Sequence, residues 1–116
     1  MTRPRACILI NTFNYECFLR EAIESALAQT VPASEFEVVV VDDGSTDNTR
    51  ELVSKYQGRV KYLYKGNGGQ ASAFNVGIEN STAEYILFLD ADDLCRPTRV
   101  EKIINEFDAY PQVGLV

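Results

Sequence analysis

The sequence contains no histidine, and its few cysteines are not arranged for metal binding. A catalytic Ser-His-Asp triad is therefore excluded. The three cysteines are Cys7, Cys17 and Cys95, an odd number without metal-ligand spacing. This usage is typical of reduced cysteines in an intracellular protein.

Long apolar runs are also absent. None approaches the ~20 residues that span a bilayer, and the run 6–10 behind the basic N-terminus is too short for a signal-peptide core. We therefore predict a cytoplasmic protein without a transmembrane segment, and leave open an association with the cytosolic face of a membrane.

Positive charge is scarce as well: the sequence has 17 acidic and 11 basic residues, and its formal net charge is −6. Nucleic-acid binders normally present a basic face, so nucleic acid is not an expected partner. An acidic site can still bind a phosphate through a bound cation.

The 116 residues are enough for one domain with one core. Apolar runs at 6–10, 36–41, 60–64 and 85–89 predict strands, with helical periodicity between them and a last helix from Pro97. The four valines of 38–41 are typical of a strand covered on both faces. The predicted fold is α/β, an open, mostly parallel, Rossmann-like sheet with helices on both faces.

A further strand is predicted to begin at Val113, close to the end of the sequence. We interpret residues 1–116 as a single domain that is truncated from a longer protein. An exposed last strand would also favour pairing with a second copy, so homo-oligomers are an expected form.

Three polar clusters, at 11–14, 42–45 and 90–93, directly follow apolar strands. Ligands of open parallel sheets bind outside the carboxyl ends of the strands, so these clusters should converge. Asp90 and Asp92 are two positions apart in extended chain and project to the same side. Their mutual repulsion favours a divalent cation, and oxygen ligands suit Mg²⁺ or Mn²⁺. Asp47 and Asp93 are interpreted as caps or solvated turn residues.

Two other features allow more than one interpretation. Of Asp42 and Asp43, one can cap the next helix while the other accepts a hydrogen bond from a ribose hydroxyl or a base N–H. The glycine-rich segment 66–69 is either a flexible turn or a ligand loop, since it lacks the spacing of a phosphate-binding motif. Asn14 is predicted to cap the first helix.

Four stretches together resemble the amino-terminal part of a family 2 glycosyltransferase of the GT-A fold. They are ILINTFN at 8–14, VVVDDGSTD at 39–47, GGQASAFNVG at 68–77 and YILFLDADD at 85–93. The resemblance implies a nucleotide-diphosphate sugar as donor and transfer of its sugar, with inversion, to an acceptor hydroxyl. It implies that Thr12, Phe13 and Asn14 line the base pocket, partly through backbone groups, that Asp43 binds the base and that Asp90 lies near the ribose.

The same resemblance makes Asp92 the ligand of an Mn²⁺ or Mg²⁺ ion that bridges the diphosphate. The acceptor, carbohydrate or lipid-linked, and the catalytic base are bound or supplied by downstream residues in this family. The base is therefore expected beyond Val116, and the fragment is expected to bind donor without efficient turnover. Many relatives have arginine where Phe74 stands, and Lys65 is the candidate replacement.

Two other functions compete with this interpretation. An apolar strand followed by Asp-x-Asp also opens the haloacid-dehalogenase-type phosphatases, in which Asp90 would be the nucleophile. Leu94 stands where those enzymes usually have threonine or valine, and a motif without its context is weak. The chain could also be a non-catalytic nucleotide-binding module.

Overall fold

The computed structural model describes residues 4–109. In chain order the elements are β1 (Ala6–Thr12), α1 (Glu16–Leu27), a short 3-10 helix (Ala33–Glu35), β2 (Phe36–Asp42), α2 (Thr49–Ser54), β3 (Lys61–Tyr64), α3 (Gln70–Glu79), β4 (Tyr85–Asp90) and α4 (Arg99–Ala109). The predicted alternation of strands and helices is confirmed over this range. The strand expected from Val113 lies outside the described residues.

The four strands form one sheet in the order β3-β2-β1-β4, and every pairing is parallel. The chain first moves outward from β1 to β2 and β3, and then returns to place β4 on the other side of β1. The direction of winding therefore reverses between β1 and β4. In open α/β sheets this switch point is where a crevice forms at the carboxyl ends of the strands.

Helices cover both faces of the sheet, as the continuous valine run predicted. Alternate residues of β1 and β2 point to opposite faces because side chains alternate along a strand. One face carries Ile8 and Val40 and packs against α1, α2 and α4. The other carries Leu9 and Val41 and packs against α3. Both central strands are buried throughout most of their length.

Helix α3 lies unusually close to the central strand, and a glycine permits this approach. A Cβ placed on Gly77 would lie 2.4 Å from Cδ1 of the fully buried Leu9 side chain. Any larger residue at this position would push α3 away from β1. The packing of α3 in turn sets where its N-terminus stands relative to the strand ends.

Two local predictions differ from the structure. Helix α1 begins without a side-chain cap, and the Asn14 side chain bonds Thr46 instead. Helix α4 begins at Arg99, two residues after Pro97. The three cysteines are free thiols, as expected. No helix within 4–109 has the length and apolar character needed to cross a bilayer.

Truncation of two isoleucines in helices tests the assigned core. Ile23 of α1 is 0% exposed and Ile78 of α3 is 45% exposed. We expect Ile23→Ala to lower the free energy of unfolding by about 2–5 kcal/mol, since it leaves a cavity. Ile78→Ala should change it by about 0.5 kcal/mol or less. Urea denaturation measures both.

The comparison is matched, because both substitutions exchange isoleucine for alanine within a helix and alter helix propensity equally. Equal losses in the two variants would contradict the assigned orientation of α1. If Ile23→Ala does not fold, Ile23→Val replaces it, with an expected loss of about 0.5–1.5 kcal/mol.

Candidate functional site

A cleft of about 450 Å³ opens at the carboxyl ends of the strands, beside the switch point between β1 and β4. Asn11 of β1 and Asp90 of β4 are register partners, so they bring the two strand ends to the same level. Of the six residues proposed from sequence, Phe13, Asp43, Asp90 and Asp92 line the cleft. The remaining lining consists of Asn11, Tyr15, Asn67, Gly69, Gln70 and Ala91.

An acidic cluster forms one wall of this cleft. One carboxylate oxygen from each of Asp90, Asp92 and Asp93 lies within 4.8 Å of the others, and all three residues are exposed. Within the described part of the chain, no lysine or arginine nitrogen approaches these carboxylates to within 4.0 Å. Gln70 donates to this cluster from its side chain, with its Nε2 3.4 Å from Asp90 Oδ1. Three uncompensated oxygen ligands suit a hard divalent cation.

Asp93 therefore joins the pair that the sequence singled out. Asp93 was interpreted as a solvated turn residue, and its clustering with Asp90 and Asp92 was not predicted. The cluster forms because the turn after β4 brings the three carboxylates together. The backbone N–H of Asp93 donates to the Asp90 carbonyl at 3.0 Å and closes that turn.

Asp43 lies opposite the acidic cluster and makes a dense set of contacts. Its Oδ1 accepts from Lys65 Nζ at 2.6 Å and from the Gly68 N–H at 2.9 Å, and its Oδ2 accepts from the Gly69 N–H at 3.0 Å. Burial alone would raise the pKa of this carboxyl. The bonds from Lys65 and the two glycine N–H groups outweigh burial and hold the pKa below its usual range.

The glycine-rich segment is thus held against β2 rather than being free. Gly44, which follows Asp43, has φ +88°, and a Cβ there would lie 2.8 Å from the Asn67 backbone nitrogen. A residue with a side chain would be strained at this φ and would displace the segment. Sequence reasoning left a flexible turn and a ligand loop open, and the structure shows a loop bonded to Asp43.

Asp42 and Asp47 have structural roles. Asp42 bonds the turn after β2 and does not cap α2, whereas Asp47 bonds the first residue of that helix. Asp42 is buried, and its carboxylate accepts from the Ser45 N–H at 2.8 Å and from the Tyr62 hydroxyl at 2.6 Å. Asp47 Oδ1 accepts from the N–H of Thr49, the first residue of α2, at 3.1 Å. Neither carboxylate lines the cleft.

Two of the six proposed residues stand outside the cleft lining. Thr12 is buried, its hydroxyl has no hydrogen-bond partner, and its carbonyl accepts from the Asp43 N–H at 2.9 Å. Asn14 has φ 56°, and its Oδ1 accepts from the Thr46 N–H at 2.8 Å. Both residues therefore tie the end of β1 to the loop after β2, which shapes the cleft from outside.

Sequence reasoning missed several lining residues. Asn11 directly follows an apolar strand, and this signal was available, although no separate role was assigned to it. Gln70 begins α3 and approaches Asp90, which only the packing of α3 could reveal. Tyr15 gave no signal in the sequence. The aromatic rings of Phe74 and Phe88 pack together with centroids 4.5 Å apart, so Phe74 serves packing.

The fold and the cleft together place the chain among α/β domains with an open parallel sheet and a ligand-sized cleft beside the switch point. The sequence model of glycosyl transferase family 2 matches residues 7–116. The chain belongs to this family, which disfavours the phosphatase alternative built on Asp90.

Named relatives agree with this assignment. An uncharacterised glycosyltransferase of Nostoc sp. (strain PCC 7120) is 40% identical over 113 residues, which cover 94% of this chain and 34% of the relative. The minor teichoic acid biosynthesis protein GgaB of Bacillus subtilis is 36% identical over 107 residues, which cover 89% of this chain and 12% of GgaB. The chain thus spans about a third or less of the length of these relatives.

Solved structures share the fold. S. aureus TarS 1–349 in complex with UDP-GlcNAc superposes with a TM-score of 0.86 at 32% identity, covering 92% of this chain and 32% of TarS. The mannosyltransferase PcManGT of Pyrobaculum calidifontis, in complex with GDP-Man and Mn²⁺, gives a TM-score of 0.78 at 28% identity. That match covers 88% of this chain and 32% of PcManGT. The fold is the amino-terminal half of a GT-A glycosyltransferase.

The contacts of Asp43 predict a pH-dependent contribution to stability. We expect Asp43→Asn to lower the free energy of unfolding by about 1–3 kcal/mol at pH 7, because charged hydrogen bonds to the loop are lost. The folded-state pKa of Asp43 is lowered, so this stabilisation is complete above the unfolded value of ~3.9 and disappears as pH falls through the folded value. Urea denaturation across this pH range measures the difference.

Asp108→Asn is the matched control. Asp108 also forms an ion pair at 2.6 Å, with Arg5, but its side chain is 53% exposed whereas that of Asp43 is 7% exposed. Solvent screens exposed ion pairs and makes their contribution to stability small, so the control should lose less stability than Asp43→Asn. A loss for Asp43→Asn that persists unchanged at the most acidic pH would contradict the assigned contacts.

Proposed function

We propose that this chain is the donor-binding domain of an inverting glycosyltransferase and that it holds a nucleotide-diphosphate sugar in the cleft. The observation that carries the proposal is the convergence of Asp43, Asp90 and Asp92 on one cleft at the switch point of the sheet. Complexes of similar proteins with UDP-GlcNAc and with GDP-Man support it.

The nucleoside would occupy the side of the cleft formed by β1 and β2. Phe13 is 42% exposed and offers a flat apolar surface to a base. Asp43 is ionised at neutral pH and accepts hydrogen bonds only, so it would bind a base through an N–H group. Asp90 lines the cleft at the end of β4 and would accept from a ribose hydroxyl. Thr12 and Asn14 would support the pocket from behind through the backbone and loop contacts described above.

The acidic cluster fits a divalent cation, with Mn²⁺ or Mg²⁺ as the proposed cofactor. Asp92 would be the principal ligand, and Asp90 and Asp93 stand close enough to share it. When bound, such an ion neutralises the negative charge that develops on the leaving diphosphate. This would also allow a chain of net charge −6 to hold a polyanionic donor.

The acceptor half of the reaction is assigned to residues outside 1–116. Similar proteins are about three times as long, and we propose that a longer parent protein supplies the base that deprotonates the acceptor hydroxyl. The proposed acceptor is carbohydrate or lipid-linked, and the proposed location is the cytoplasm. Residues 1–116 would then form a single domain that binds donor without efficient turnover.

Titration calorimetry tests donor binding. We expect UDP or GDP to bind the chain more tightly with Mn²⁺ than with a chelator, because the cation links the acidic cluster to the diphosphate. Asp92→Asn should remove this metal dependence and reduce affinity in Mn²⁺ by about tenfold or more, equivalent to about 1.4 kcal/mol.

Glu106→Gln, on the exposed surface of α4, is the charge-matched control and should bind like the parent. If UDP, GDP and dTDP derivatives all fail to bind in Mn²⁺, the proposed function is wrong. Release of nucleotide from a sugar nucleotide with added acceptor, at rates typical of a complete enzyme, would contradict the assignment of the base to residues outside this chain.

A further inference from the structure

Lys65 is the one lysine that the structure brings to the Asp43 carboxylate. Its Nζ donates to Asp43 Oδ1 at 2.6 Å and to the Gly66 carbonyl at 2.6 Å. The Lys65 side chain is 14% exposed and that of Asp43 is 7% exposed, so the pair is largely withdrawn from water. Lys65 does not line the cleft. Two of the three N–H donors of this ammonium are thus occupied, by Asp43 and by the Gly66 carbonyl.

The three donors leave Asp43 with little freedom. A carboxylate offers about four lone-pair positions. Lys65 and the Gly68 N–H take the two on Oδ1, and the Gly69 N–H takes one on Oδ2. About one acceptor position remains, on Oδ2, and Asp43 is part of the cleft lining. The carboxylate is thus ionised, fixed in orientation and able to accept one further hydrogen bond.

The same contacts link both walls of the cleft. Asp43 fixes the N–H groups of Gly68 and Gly69, and the next residue, Gln70, begins α3 and donates to Asp90 at 3.4 Å. Loss of the Lys65 bond would leave Asp43 with backbone donors alone. The two glycine N–H groups would then hold the carboxylate less firmly than the three donors do together, and the loop would lose one of its anchors.

We propose that Lys65 is a positioning residue for the nucleobase: it holds Asp43 so that a single Oδ2 acceptor faces the base, and it makes no contact with the diphosphate. This inference rests on the proposed nucleotide site and names the part of the ligand on which Lys65 acts. It differs from the expectation that Lys65 replaces a phosphate-binding arginine. The two roles predict different effects of removing Lys65. A positioning role weakens ligands with and without phosphate equally, whereas a phosphate-binding role weakens only ligands that carry phosphate.

Binding of uridine and of UDP separates the two roles. With the whole chain in Mn²⁺, we expect Lys65→Met to weaken uridine and UDP by the same factor, about tenfold, because Asp43 contacts the nucleoside that both share. NMR titration measures the weak nucleoside and calorimetry the diphosphate. Loss of UDP binding with unchanged uridine binding would overturn the proposal and identify Lys65 as a phosphate ligand.

A second measurement works without nucleotide. The Asp43 carboxyl can be titrated by ¹³C NMR in the ligand-free chain. We expect Lys65→Met to raise the pKa of Asp43 and to speed hydrogen exchange at the Gly68 and Gly69 amides. Lys65→Arg, which retains the charge, should largely restore both. If Lys65→Met does not fold, Lys65→Gln, which also removes the ammonium, replaces it in the binding experiment.

Lys102 is an exposed residue of α4, and Lys102→Met controls for the change in net charge. It should alter neither the pKa of Asp43 nor the hydrogen exchange of the Gly68 and Gly69 amides. An Asp43 pKa that is the same in the parent and in Lys65→Met would overturn the proposal. The two failures are distinguishable, because absence of nucleotide binding by the unmodified chain refutes the proposed function, whereas the Asp43 titration tests the role of Lys65 directly.

Discussion

Strand β1 is hydrogen-bonded along both edges and buried on both faces, and the position of the cleft follows from this constraint. The parallel register aligns Thr12 with Asp42 on one side and Asn11 with Asp90 on the other. Burial of an unpaired polar side chain inside such a sheet costs free energy, so polar side chains concentrate where the strands end. Three separate segments thereby deliver their polar ends to one edge.

Electrostatics then divides this edge into two unlike halves. The acidic cluster at the end of β4 has no cationic partner within residues 4–109, and it favours an external cation. The Asp43 carboxylate has an internal cation, Lys65, together with two backbone donors. Carboxylates at equivalent strand ends therefore differ in chemistry. Asp43 offers a fixed hydrogen-bond acceptor, whereas the cluster offers metal ligands that remain open to the cleft.

Local sequence patterns do not specify contacts between residues that are distant in the sequence. Asn14 was expected to cap α1, but the Thr46 N–H lies 2.8 Å from its Oδ1, and that contact forms instead. Lys65, which was considered for the diphosphate, forms an ion pair at 2.6 Å with the buried Asp43, and its role toward a ligand stays a prediction. The Phe74 ring packs on Phe88. In each case the partner is at least 14 residues away in the sequence.

Local patterns were enough to predict the α/β class, the approximate strands and the strand-end clusters, because apolar periodicity and buried valine runs are local properties that burial enforces directly. They also singled out Asp43, Asp90 and Asp92, which the structure brings to one cleft. The strand order, the entry of Gln70 into the cleft and the bonding of the glycine-rich loop to Asp43 became visible only in the folded chain. The strand order follows from pairing between distant segments, and the contacts of Gln70 and the loop depend on how α3 packs across β1. No local pattern specifies either.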